Sequence, residues 1–122
     1  NLEAAYNLGV LLMRNNRPEP ALASLTDALR LRPTFAPAAL QRGRLLTAMD
    51  RKDEALKAWR PLTAVNPAAW LQIARLELAL GNESAARAAV REGIQRGGDK
   101  LREAALSDER LRPLVPSATR RS

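Results

Sequence analysis

The sequence predicts an all-α chain of repeated helix pairs, on three observations. The first is composition. Of 122 residues, 23 are Ala and 21 are Leu, whereas Val and Ile together number six, too few β-branched residues to build a sheet. The second is apolar spacing of the helical kind, as at Ala5, Leu8 and Leu12. The third is repetition. Gly9 and Gly43, Leu12 and Leu46, Ala21 and Ala55, Leu25 and Trp59, and Pro33 and Pro67 all stand 34 residues apart.

Each element follows from its residues. A first helix is expected over about 2–14, ended by Asn15-Asn16-Arg17-Pro18, because Asn accepts a left-handed backbone and Pro cannot continue a helix. A second runs from about 19 to 31 with Leu22, Leu25, Ala28 and Leu29 on one face, and Pro33 stops it. The next pair repeats this at about 37–49 and 53–65 around Asp50-Arg51-Lys52, with Asp53 and Glu54 at the positive end of the helix dipole. A third pair follows at a shorter offset, Ala55 to Ala86 being 31 residues. Its helices are expected at about 67–80, capped by Asn66, and 83–96, with Gly81-Asn82 between them and Gly97-Gly98 closing the unit. A short helix from Asp99 to about 106 then turns Leu101 and Ala105 inward. Leu111 and Leu114 follow in a Pro-punctuated stretch, and residues 117–122 read as a disordered tail.

What is missing excludes much chemistry. Without Cys or His there are no disulfides, thiolate nucleophiles, zinc fingers or His-based triads. Asp53-Glu54 and Asp108-Glu109 are adjacent on their helices and point about 100° apart, so they do not converge on a substrate. No catalytic role, cofactor or metal is expected. No apolar run reaches the roughly 20 residues of a membrane span, and the first residues do not read as a charged-then-apolar signal sequence, so any targeting segment is expected elsewhere. Cytoplasm and periplasm are both compatible, and the Ala/Arg/Leu-rich composition suits a bacterium of high-GC genome. Opening on Asn1 rather than Met, the chain is expected to be a piece of a longer protein.

The net charge of +7 comes from 17 Arg and 3 Lys against 13 acids. Cations outnumber acids by 4 to 3 over residues 1–35, 6 to 3 over 36–69, 4 to 3 over 70–98 and 6 to 4 over 99–122. The excess is thin and interleaved with acids, whereas a nucleic-acid footprint is a dense one-signed patch. Nucleic acid is therefore not the expected partner.

The repeated residues resemble the tetratricopeptide repeat family, whose 34-residue unit pairs a W-x2-L-G-x2-Y helix with an A-x3-F…P helix. The first unit carries Ala5-x2-Leu8-Gly9-x2-Leu12, then Ala21-x3-Leu25, Ala28 and Pro33. The second carries Ala39-x2-Arg42-Gly43-x2-Leu46, then Ala55-x3-Trp59 and Pro67. The third carries Trp70-x2-Ile73-Ala74-x2-Glu77, then Ala86-x3-Val90 and no proline. Arg42 stands where the family is apolar and Glu77 where it is aromatic. Trp59 and Trp70 fall at packing positions.

The resemblance implies an all-α superhelix of three antiparallel helix pairs with a C-terminal capping helix. It implies one domain over 1–116, with repeats at about 2–35, 36–66 and 67–98 and the cap at about 99–114. It also implies a concave groove lined by the first helix of each pair, at Tyr6, Val10 and Met13, then Leu40, Arg44 and Thr47, then Leu71, Arg75 and Leu78. Each trio is spaced i, i+4, i+7 and shares a helix face. Such a row would hold an extended or helical peptide, with the arginines pairing to carboxylates. On the plainer alternative, Arg44 and Arg75 are solvated and Leu40 and Leu71 are core. The family's clamp for chaperone C-termini would fall on Tyr6, Val10, Gln41, Ala68 and Gln72, none of which is a clamp residue, so that kind of partner is not expected. The functional expectation is a non-catalytic module binding a peptide or protein segment. The alternative is a spacer or self-association segment of a longer array.

Overall fold

Three residues in the left-handed region turn the chain between paired helices: Asn16 (φ 59°), Asp50 (φ 61°) and Gly81 (φ 85°). At each turn the next amide reaches back five residues, Arg17 N–H to Leu12 O, Arg51 N–H to Leu46 O and Asn82 N–H to Glu77 O, at 2.8–3.0 Å. The left-handed residue itself bonds three residues back, to Met13, Thr47 and Leu78. This is the Schellman closure, which satisfies helix-end carbonyls that otherwise lack donors.

The computed structural model describes residues 1–117, and there is no strand among them. The helices are α1 (Leu2–Arg14), α2 (Pro18–Leu31), α3 (Ala36–Ala48), α4 (Lys52–Trp59), α5 (Ala69–Ala79) and α6 (Glu83–Leu106), with 3-10 turns at Arg60–Ala64 and Arg112–Leu114. None of these helices is long and apolar enough to cross a membrane. The expected tail falls almost wholly outside the described residues.

The chain divides into two compact units, one over Asn1–Leu62 and the other from Thr63 onward. In the first, α1 pairs with α2, α2 packs on α3, and α3 pairs with α4. Its core holds Ala21, Leu25, Ala28, Ala38 and Leu45, with Leu12, Leu22 and Leu29 packed against them. Tyr6 meets Phe35 edge to face, with ring centroids 5.5 Å apart and planes at 88°. The small residues have a steric reason. A Cβ on Gly9 would lie 2.8 Å from the Leu25 side chain, and one on Gly43 would lie 2.9 Å from the Trp59 ring. Leu8 departs from expectation: it is 48% exposed, because α2 covers the Gly9 side of α1 and leaves Leu8 and Leu11 on the open face.

In the second unit α5 pairs with α6, and the Arg112–Leu114 turn folds back onto α6. Ile73, Ala74, Ala86, Val90, Ala105 and Leu111 are buried there. Glu77, at the unusual position, is also buried, and its Oε1 accepts a hydrogen bond from Asn82 Nδ2 at 2.9 Å.

Three boundaries differ from the sequence reading. The helix expected over 53–65 ends at Trp59 and tightens into a 3-10 turn, because Pro61 has no N–H to continue the α ladder. The helix expected from residue 67 starts at Ala69; Asn66 Oδ1 accepts Ala68 N–H at 3.1 Å and holds Pro67-Ala68 as a turn. The two helices expected over 83–96 and 99–106 run on as α6, broken at Gly98, whose φ of 70° and ψ of −153° are not helical.

Candidate partner-binding site

Within the first unit, the expected groove residues lie on α1 and α3. Tyr6, Val10, Met13, Leu40 and Thr47 are half-buried and Arg44 is exposed. Met13 and Arg44 line one cleft of about 470 Å³ with Asn16, Pro18, Leu45, Ala48 and Met49. The Schellman turn after α1 places Asn16 and Pro18 at one side of this cleft, while Arg44, Leu45 and Ala48 come from successive turns of α3. Two flexible methionines and one cation thus share a single concavity. Among the described residues Arg44 makes no hydrogen bond or ion pair, so its guanidinium keeps its donors for another molecule.

Thr47 faces a different task. Its hydroxyl donates to Gly43 O at 2.8 Å and accepts Trp59 Nε1–H at 3.1 Å, tying α3 to α4. Sequence spacing carries no sign that the Thr47 oxygen is spent inward.

In the second unit the three residues on α5 part company. Leu78 is half-buried. Leu71 is 4% exposed, because the absent side chain of Gly93 lets α6 close over it. Arg75 Nε donates to Asp108 Oδ2 at 2.5 Å, so its charge is already matched. Burial pushes the Asp108 carboxyl up, but the Arg75 bond, the Arg110 and Leu111 amides and the Arg75 charge together hold it below the usual carboxylate range. Leu71 and Arg75 are thereby structural contacts of the unit rather than open groove surface.

Both tryptophans pack. Trp59 is 2% exposed against Gly43, and Trp70 lies over Gly93, where an added Cβ would come within 2.9 Å of Trp70 Cβ. The Asn82-Glu83-Ser84 triplet, a glycosylation pattern by sequence, has its Asn amide nitrogen engaged with Glu77.

A tetratricopeptide repeat family model matches residues 2–35, the first helix pair. Several solved structures share the fold. MamA is 24% identical over 94% of this chain and 72% of its own, with a TM-score of 0.71. YrrB, described as a TPR protein with an unusual peptide-binding site, is 24% identical over 88% of this chain and 58% of its own, with a TM-score of 0.73. PcrH, solved in complex with the chaperone binding region of PopB, is 18% identical over 93% of this chain and 88% of its own, with a TM-score of 0.68. No curated protein matches the sequence. The family's motif is thus matched at the first helix pair, and the chain shares the fold of solved tetratricopeptide repeat structures.

Proposed function

We propose that the chain is a non-catalytic interaction module that holds a segment of a partner protein against the α1 and α3 face of its first unit. The observation that carries this is the cleft of Met13, Met49 and Leu45 with the unpaired Arg44 at its edge. Methionines adapt their shape to an apolar side chain, and a free guanidinium in a forked geometry suits a carboxylate. The occupant is therefore an apolar residue with Asp or Glu nearby, in an extended or helical segment. That YrrB and PcrH bind peptides or partner segments supports the reading. Tyr6, Val10 and Leu40 extend the same face and Leu78 is its counterpart on α5. Arg75 contributes no free charge to it.

The test is selection from a random peptide display library, followed by anisotropy titration of an enriched peptide. Enriched peptides carry an apolar residue near an acid, and Arg44→Glu weakens their binding at least tenfold, about 1.4 kcal/mol, with an unchanged circular dichroism melt. No enrichment, or equal binding by Arg44→Glu, rejects the reading.

A second reading is self-association through the open side of α1, favoured by Leu8 at 48% and Leu11 at 52% exposure. Sedimentation velocity separates the two. A mass that rises with concentration in the wild type and not in Leu8→Glu supports self-association, and a strict monomer rejects it.

A further inference from the structure

The chain has two methionines and no cysteine. Met13 lies in the last turn of α1, and Met49 directly follows α3. They stand 36 residues apart, two out of step with the 34-residue repeat, so they are not equivalent positions of two units. Both nevertheless line the same cleft of about 470 Å³, with Arg44 beside them. Each packs in part on the core of Ala21, Leu25, Ala28, Ala38 and Leu45, and each is half-buried and keeps surface toward the cleft.

Every sulfur of the chain therefore sits at one concavity. With no thiol to intercept it, a peroxide acts on these two thioethers. A lone pair on Sδ attacks one peroxide oxygen, and the O–O bond breaks as the S–O bond forms. The sulfur loses two electrons. The second oxygen leaves as hydroxide, takes up the proton of the first and becomes water.

We propose that Met13 and Met49 form a reversible oxidation site that closes this cleft to its partner. The proposal rests on the reading of the cleft as the partner site. A thioether is apolar and adapts to an apolar side chain, whereas a sulfoxide is polar. An apolar residue seated on it would strip water from the S=O group and return no hydrogen bond. Arg44 adds a second effect. Its guanidinium makes no hydrogen bond or ion pair among the described residues, and a sulfoxide oxygen formed beside it is a strong acceptor. Donors suited to a partner's carboxylate are then spent within the chain. Methionine sulfoxide reductases, one for each sulfoxide epimer, restore the thioether; two thiols become a disulfide and the oxygen leaves as water.

The probe is a fluorescent, display-enriched peptide without Met or Cys, titrated by anisotropy against the whole chain before and after hydrogen peroxide, with the peroxide first removed by catalase. Mass spectrometry places one added oxygen on Met13 and one on Met49. Oxidation weakens binding at least tenfold while circular dichroism shows the chain still folded at the titration temperature, and the two reductases with dithiothreitol restore the affinity. In Met13→Leu/Met49→Leu, whatever its own affinity, peroxide leaves binding as it was. Equal binding by the reduced and oxidised chain overturns the switch and leaves the reading of the cleft standing. No peptide bound by the reduced chain overturns both. A loss on oxidation that the double variant shares, or unfolding of the oxidised chain, also overturns the switch.

Discussion

Arg75 and Asp108 stand 33 residues apart and are joined by a charge-assisted hydrogen bond between Nε and Oδ2. The same carboxylate's other oxygen accepts the Arg110 amide at 2.8 Å and the Leu111 amide at 3.4 Å. One side chain therefore caps the turn after α6 and ties that turn to α5.

Asp108→Asn keeps the amide-accepting oxygen and removes the charge. It lowers stability near neutral pH by about 1 kcal/mol, the scale of a partly exposed charged pair, as measured by urea unfolding. The pH dependence has a definite sign. A carboxyl whose folded pKa is depressed stabilises the fold above its unfolded value, about 3.9 for Asp, and that stability fades as pH falls through the lower folded value. The difference between wild type and Asp108→Asn is full at pH 6 and narrows below about pH 4. A difference that persists unchanged at low pH contradicts the assignment.

Gly43→Ala places a methyl 2.9–3.2 Å from three Trp59 ring atoms, and that ring is buried and cannot swing aside. Overpacking costs about 1–3 kcal/mol, while Ala in a helix recovers up to about 1 kcal/mol over Gly. A net loss in melting temperature is expected. Pairing Gly43→Ala with Trp59→Leu relieves the clash, so the double variant is more stable than the sum of the two single losses implies.

Thr47→Val keeps the shape and deletes the hydroxyl. The Trp59 indole N–H is then left without its partner in the packed interface, at a cost of about 1–3 kcal/mol. Urea unfolding followed by Trp fluorescence reports it. Stability equal to wild type rules out a structural role for that hydroxyl.

The sequence carries the helical hairpins in detail but the groove only in outline. Gly9 and Gly43 at a 34-residue spacing locate close helix contacts, and Asn16 is a left-handed turn residue by type. Helical spacing also fixes which residues share the Tyr6–Val10–Met13 face. It does not report what else competes for a residue on that face. Thr47 is claimed by Trp59 and Arg75 by Asp108, and the second link requires the chain beyond α6 to return to α5, which no local pattern encodes. Pro61 was legible as a helix breaker, yet the apolar pattern running on through Leu62 concealed its effect.

Gly98 has a consequence for how order is lost. Its backbone conformation is open almost solely to glycine, so helical hydrogen bonding cannot pass through it from one side of α6 to the other. The two stretches must therefore fray as separate zippers, each with its own ends. Amide hydrogen exchange would show protection falling toward residue 97 and beginning afresh beyond it. The segment carrying Leu101 and Ala105 depends on its burial, because it inherits no cooperativity from the longer helix before it.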